Sequence, residues 1–430
     1  MTTENNNKTL NVTNKREHSQ TCLCYAERKG QSLQGNVPNL RFPEFSGEWA
    51  SNELQKVAYL SKGAGISKDQ LSDSGHPCIL YGELYTKYKS EIINEVYSKT
   101  QLEAASLVKS QTNDVIIPCS GEAAIEIATA RCVLTPDILL GGDLNIIRLN
   151  GHDGGFFAYQ LNGKRKVDIA KVAQGVSVVH LYGEHLKKVK VAYPSLAEQQ
   201  KITSLLSLID ERIATQIKII EDLKKIKSAI SKLLFARKDL LETTICLSDI
   251  ATLKNGYAFQ SSKYNPLGKW KILTIANVPG ERNINDEDCN CIINLPSDIQ
   301  NHQVLKEGDI LISLTGNVGR VSLCTDGNYL LNQRVGLLQL KQGVNREYIY
   351  QALSCRRFEQ TMISCGQGAA QMNIGKGDVE DYTIPYSANS LNLEVVASTL
   401  KTYDLLISVE VDRLRLFMQQ KQYHLAQMFI

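Results

Sequence analysis

Two stretches of this chain, about 194 residues apart, carry the same ladder of apolar positions. In the first, the ladder runs Ile202, Leu206, Ile209, Ile213, Ile217, Ile220, Leu223, Lys227, Ile230 and Leu234. In the second it runs Val396, Leu400, Tyr403, Ile407, Val411, Leu414, Phe417, Lys421, His424 and Met428. Steps of three and four mark a helix with one apolar stripe of roughly 3.5-residue period. Even the polar interruption recurs, as Lys227 and Lys421, and both helices are expected to end on a phenylalanine, Phe235 and Phe429. Ser195, after Pro194, can open a capping box with Glu198, and Ser390 or Asn392 can cap the second helix before Glu394. About 40 residues at 1.5 Å each give a rod of about 60 Å, longer than most cores can cover. A stripe of that length needs a partner, and the nearest is its own repeat, in an antiparallel pair. The helix-pair seam is therefore placed at Ile202, Leu206, Ile209, Ile213, Ile217, Ile220, Leu223, Leu400, Tyr403, Ile407, Val411, Leu414 and Phe417.

The repeat reaches back into the residues before each helix. Leu60 and Gly63 align with Leu253 and Gly256, Ile79 and Leu80 with Ile272 and Leu273, and Asp114 through Gly121 with Asp309 through Gly316. Gln174 and Gly175 align with Gln367 and Gly368. These segments are short apolar runs broken by Gly, Asp and Asn, the pattern of short strands with tight turns. Helices are expected between them, at Ser90 to Ser110 and Arg346 to Ser364. The fold class is mixed α/β (α+β): two similar globular domains separated by a long antiparallel two-helix coiled coil, a pseudo-twofold internal repeat. The boundaries are a disordered polar leader at 1–38, a first domain at 39–193, a central helix at 194–238, a second domain at 239–389 and a C-terminal helix at 390–430.

Composition narrows the class further. A 43% apolar and 22% charged chain is that of a soluble globular protein, and a net charge of +3 neither proves nor excludes a nucleic-acid partner. The first residues lack the apolar core of a secretory signal, and no run of 18 apolar residues spans a membrane. Eleven cysteines, mostly scattered singly, suit reduced thiols and a cytoplasmic location. The close pairs Cys22/Cys24 and Cys289/Cys291 lack the spacing of a zinc knuckle, so no metal is expected. There is no phosphate-gripping glycine–lysine loop and no dinucleotide fingerprint. Asp137, Glu184 and Lys187 form the best nuclease-like set, and the seven histidines have no ligand spacing. No catalytic residue is assigned.

What remains are polar loops rich in residue types that bridge base edges and phosphates. In the first domain the DNA-binding candidates are Lys87, Lys89, Arg148, His152, Lys164, Arg165, Lys166, Gln174 and His180. In the second they are Tyr257, Lys263, Asn317, Arg320, Asn332, Gln333, Arg334, Arg356, Arg357, Gln367, Gln371 and Asn373. Two similar domains at opposite ends of an antiparallel helix pair match the pseudo-twofold symmetry of duplex DNA. Because the domains differ in sequence, the half-sites they read should differ, with the helices as a ruler between them.

Asn39 through Trp49 and Gly82 through Tyr88 resemble segments of the specificity subunits of type I restriction–modification systems. So does the run Pro194, Glu198, Gln199, Lys201, Ile202, Ile209, Asp210 and Ile213, which resembles that family's central helix. The second half departs from it, with Leu393-Glu394-Val395 in place of Glu-Gln. The resemblance implies two target-recognition domains and two spacer helices on double-stranded DNA. It also implies two methyltransferase subunits carrying S-adenosylmethionine and two motor–restriction subunits using ATP and Mg, with no cofactor and no active site on this chain. The competing expectations are the recognition part of a single-chain restriction enzyme, an undetected nuclease, and a coiled-coil structural protein.

Overall fold

A computed structural model describes residues 35–175, 178–366 and 372–430. It contains two mixed helix–sheet domains, each leading into a long helix, Leu196–Ala236 and Ser390–Gln427. The first helix starts as expected, with the Ser195 hydroxyl accepting from the Glu198 N–H at 3.4 Å. The second starts one residue earlier than expected. Asn389 is its cap and accepts from the Leu391 N–H at 3.0 Å, Ser390 is already helical, and Asn392 turns back to the Leu240 carbonyl. It also stops at Gln427, so Phe429 lies past its end, wedged against Trp49 and Phe156.

The helices run antiparallel, because the start of each shares a core with the end of the other. Ile202, Leu206 and Ile209 pack with Leu425, Met428 and Phe429 in the first domain's core. Leu393, Val396 and Leu400 pack with Ile230, Leu234 and Phe235 in the second's. The expected seam is thereby shortened: its outer thirds belong to the domain cores, and only the middle joins helix to helix. There Ile220 is buried, and Ile213, Leu223, Ile407, Val411, Leu414 and Phe417 are half-buried. Ile217 is a correction, since it is 40% exposed while Gln216 beside it is 4% exposed. A straight helix drifts against a 3.5-residue repeat, and at mid-rod that drift brings Gln216 into the contact. The Gln216 carboxamide donates to the Glu410 carbonyl at 3.0 Å and to its carboxylate at 2.5 Å. These two residues are counterparts in the repeat, so they meet where a pseudo-twofold axis must pass.

The recurring lysines flank that point. Lys227 Nζ lies 2.5 Å from Asp404 Oδ1, and Lys421 Nζ lies 2.6 Å from Asp210 Oδ1. Asp404 is the counterpart of Asp210, so one ion pair is used twice. Lysine interrupts each stripe because a buried carboxylate waits on the other helix.

The sheets repeat as well. The order Ala58–Lys62, Leu144–Leu149, Asp114–Pro118, Arg131–Val133 in the first domain recurs as Ala251–Asn255, Val335–Leu340, Ile310–Ser313, Val321–Leu323 in the second. A parallel pairing of His76–Ile79 with Leu139–Leu140 recurs as Trp270–Leu273 with Tyr329–Leu331. Asp114 and Asp309 are equivalent here too. Each accepts from a main-chain N–H three residues earlier at 2.8 Å, and burial raises each carboxyl above its ordinary value. The expected helix at Ser90 to Ser110 is not formed. That stretch holds the strands Ile92–Ile93 and Ser98–Thr100 and one tight turn, Ala104–Ser106. Ser98 and Thr100 are buried with Lys99 exposed between them, a two-residue period that outweighs the charged composition. Arg346 to Ser364 is helical, broken at Ser354.

Residues 1–34 of the expected leader, with Cys22 and Cys24, lie outside the described residues. The rest of the leader is tied down, the Trp49 N–H donating to the Asn36 carbonyl at 2.7 Å. Among the described residues no helix is long and apolar enough to cross a membrane.

Candidate nucleic-acid interface

In each domain, loops from distant parts of the sequence are stitched into one edge by main-chain hydrogen bonds. In the second domain Tyr257 N–H donates to Leu331 and Gln333 N–H to Tyr257, at 2.8 and 3.0 Å. Leu314 N–H donates to Arg334, Gly316 N–H to Met372 and Ile374 N–H to Leu314, at 2.9–3.0 Å. Four loops thus meet, bringing Tyr257, Asn317, Asn332, Gln333, Arg334 and Asn373 together. Asn317, Gln333, Arg334 and Asn373 are exposed. Tyr257 stands against Phe259 at 4.9 Å, and its hydroxyl donates to Asp298 at 2.8 Å, which raises the phenol's pKa. Lys263 lines the same recess as these rings.

The first domain builds the equivalent edge. Gly63 N–H donates to Leu144, Cys119 N–H to Asp143 and Leu181 N–H to Cys119, at 2.7–3.0 Å. Gln174 bridges His180, and His180 pairs with Ser120. In the second domain Asn373 bridges Thr315, the same position in the repeat. The aligned glycines Gly63 and Gly256 have one physical reason: a Cβ at either would stand 2.0 or 2.2 Å from a carbonyl oxygen of the adjoining loop. A side chain at either position would force the loops apart.

Identical construction carries different side chains. His180 and Gln174 mark the first edge, and Asn373, Asn317, Gln333 and Arg334 the second. Lys62 and Tyr182 also belong to the first edge and were missed in the sequence. Lys62 is exposed opposite Asn145, and Tyr182 is 45% exposed and stacked on His180 at 6.1 Å. The available signal was an aromatic two residues past His180, in Tyr182-Gly183.

Several candidates lie elsewhere. Arg148 sits at the far end of its strand, 3.3 Å from buried Asp114 and bonded to the Lys109 carbonyl. Lys87 is held by Glu83 and Ser98, and Lys89 reaches the Thr86 carbonyl. His152 is bonded to Gln199 at 3.1 Å, and burial lowers its pKa. Arg165 donates to the Ile430 carbonyl and pairs with Asp168, while burial lowers the pKa of Lys166 beside it. Lys164, next to them, is also remote from the stitched loops. Arg320 leans on Gly280 and Glu359. Arg356 and Arg357 face the central helix across a groove. Gln367 and Gln371 lie outside the described residues.

Glu198 and Gln199 of the central helix are structural. Glu198 is 1% exposed and takes two 2.7 Å bonds from Arg41, so the Asn39–Trp49 segment is clamped to the helix start. Gln199 holds Pro194, Asp153 and His152. Among the described residues no group of His, Cys, Asp or Glu is placed to hold a metal.

Two mixed domains on an antiparallel helix pair, each with a polar stitched edge, define a class of two-headed recognition proteins. The family description "Type I restriction modification DNA specificity domain" matches residues 46–225 and 242–414, and the chain belongs to that family. The chain is 27% identical over 261 residues to the type I restriction enzyme MjaVIII specificity subunit of Methanocaldococcus jannaschii, covering 55% of this chain and 60% of that protein. It is 23% identical over 405 residues to the putative type I restriction enzyme MjaX specificity subunit of the same organism, covering 87% and 91%. The fold is similar to the crystal structure of a type I restriction–modification S subunit from M. genitalium, with a TM-score of 0.60, 15% identity, and 92% of this chain and 99% of that one covered. It is also similar to a chain from a structure of type I R-M complex assembly and conformational transition, with a TM-score of 0.52, 15% identity and coverage of 89% and 97%.

Proposed function

We propose that this chain is the non-catalytic specificity subunit of a type I restriction–modification complex. It binds a bipartite, asymmetric DNA target and scaffolds two methyltransferase and two restriction subunits. The observation that carries this reading is the pair of edges, built alike, furnished differently, and placed at opposite ends of one rod. Identical heads would read a palindrome, whereas these heads call for two different half-sites. S-adenosylmethionine, ATP and Mg are then the partners' cofactors.

A further observation supports the scaffold role. Besides the buried stripe, the helices carry a second apolar set that is exposed: Leu208, Ile226 and Leu233 on the first, and Leu405, Val409 and Leu416 on the second. Leu233 is 69% and Leu416 63% exposed. Surface of this kind is costly to leave in water and suits partner helices.

The test is to purify the chain alone and with methyltransferase subunits, and to map the methylated sites by sequencing. Methylation at two short motifs separated by a fixed gap, only with partners present, is the expected result. Cleavage or methylation by the chain alone would overturn the non-catalytic reading. A single continuous motif would overturn the bipartite one.

A further inference from the structure

The two halves differ at one place where the repeat predicts likeness. In the first half Leu425 packs over Gly163, its side chain closing the angle between the C-terminal helix and the first domain. The counterpart of Leu425 is Ser231. With serine there, the angle between the central helix and the second domain stays open as a groove of about 780 Å³. Its floor is apolar, including Phe235 and Ile384; its rim carries Lys232, Arg356 and Arg357, with Lys224 held by Glu281 at 2.7 Å and one carboxylate, Glu359, turned towards Arg320 at 3.8 Å. Lys232, Arg356 and Arg357 are exposed and have no carboxylate within ion-pair distance among the described residues. The groove is also remote from the stitched edge. Arg356 opens a ten-residue helix whose other end leads to that edge, about 15 Å away.

We propose that this groove is a docking site for an acidic, leucine-bearing peptide segment of another protein chain, one segment per specificity subunit. Charge complementarity selects acidic residues for the rim. The apolar floor selects a bulky aliphatic side chain, filling the space that Leu425 fills in the first half. A DNA backbone would satisfy the rim and leave the floor unused. The chain's own residues 1–34 are a poor occupant, because they carry more Lys and Arg than Glu. Occupancy on one side only would break the pseudo-twofold equivalence of the frame and give a partner one orientation on it. This holds whatever DNA the edges read.

The test uses the full chain and a labelled peptide of four Glu-Glu-Leu repeats, followed by fluorescence anisotropy at low salt. Saturable binding is expected, with a Gln-Gln-Leu peptide bound at least tenfold more weakly, since the rim charges are then unmatched. Ser231→Leu, which copies the first half, should weaken binding about tenfold and leave the melting temperature unchanged or higher. The double change Arg356→Glu with Arg357→Glu should weaken it at least as much. Absence of saturable binding up to about 1 mM peptide overturns the proposal, being weaker than any useful docking contact. So does a Ser231→Leu variant that binds as tightly as the parent. A duplex of unrelated sequence that displaces the peptide, together with DNA affinity lost in the arginine variant, would assign the surface to DNA instead.

Discussion

The two ends of the helix pair use one ion pair twice but embed it differently. At the first end Lys421 is shared between Asp210 and Glu91, at 2.6 and 2.5 Å, and Tyr159 donates to Asp210 at 2.8 Å. At the second end it is the carboxylate that is shared. Asp404 meets Lys227 at 2.5 Å and Arg282 at 3.3 Å, and Arg282 also forks onto Glu347. The common Lys–Asp contact fixes how the helices align, and the surrounding groups tie each domain to that alignment. The frame therefore repeats closely while the attachments, like the reading edges, are free to diverge.

The largest expected effect comes from breaking this symmetry. Asp404→Ala strands Lys227, which has no other carboxylate within ion-pair distance among the described residues, while Arg282 keeps Glu347; it should destabilise the second domain by about 3–5 kcal/mol. Asp210→Ala leaves Lys421 with Glu91 and should cost clearly less. Thermal or denaturant unfolding that separates the two domains checks the order, and equal losses would mean the shared-carboxylate picture is wrong.

The next comparison concerns the helix starts. Arg41→Ala leaves buried Glu198 without its partner, at a cost of about 2–3 kcal/mol. At the second helix start Asn392 holds the equivalent position, and the nearby Glu394 is exposed and, among the described residues, bonded only to Asn345, at 2.8 Å. Glu394→Ala should cost no more than about 0.5 kcal/mol. Proteolysis of the Asn39–Trp49 segment should rise in the first variant alone.

A smaller effect is confined to the first half. Burial lowers the pKa of His152 below the ordinary 6.5. The folded state therefore binds this proton less readily than the unfolded state, so the contribution is present above pH 6.5 and is lost as pH falls through the lowered value. The first domain should melt lower at pH 5.5 than at 7.5, and His152→Phe, which keeps the packing on Phe157 and Tyr193, should flatten that slope.

Much of the frame was legible in the sequence because a single period over some forty residues admits few structures. Lys227 and Lys421 stood out as polar interruptions, although their partners Asp404 and Asp210 could not be named. Each partner is fixed only by the antiparallel register, which the stripe alone leaves open. The outer thirds of the stripe were read as seam because a leucine facing a sheet and one facing a helix leave the same trace. The stitched edges were partly legible: Gln174, Tyr257 and Gln333 each adjoin a loop glycine or asparagine, and His180 and Asn373 hold the same position in the repeat. Arg148 and Lys87 were misplaced because their partners Asp114 and Glu83 cap or brace turns that composition does not reveal. Arg356 and Arg357 were grouped with the edge by residue type, whereas their helix, Arg356–Cys365, carries them away from it.

The central claim is that two different readers are held at a distance set by the rod. Inserting four residues after Ile213 and four after its counterpart Ile407 lengthens both helices equally between the two Lys–Asp pairs, so each pair stays at a matching height along the rod, about 40° from its original facing. The rod then grows by about 6 Å, close to two base pairs at about 3.4 Å each. Sequencing the sites methylated by complexes with the lengthened chain should return the same two half-sites with one or two more base pairs between them. An unchanged gap, or a changed half-site sequence, would contradict the claim.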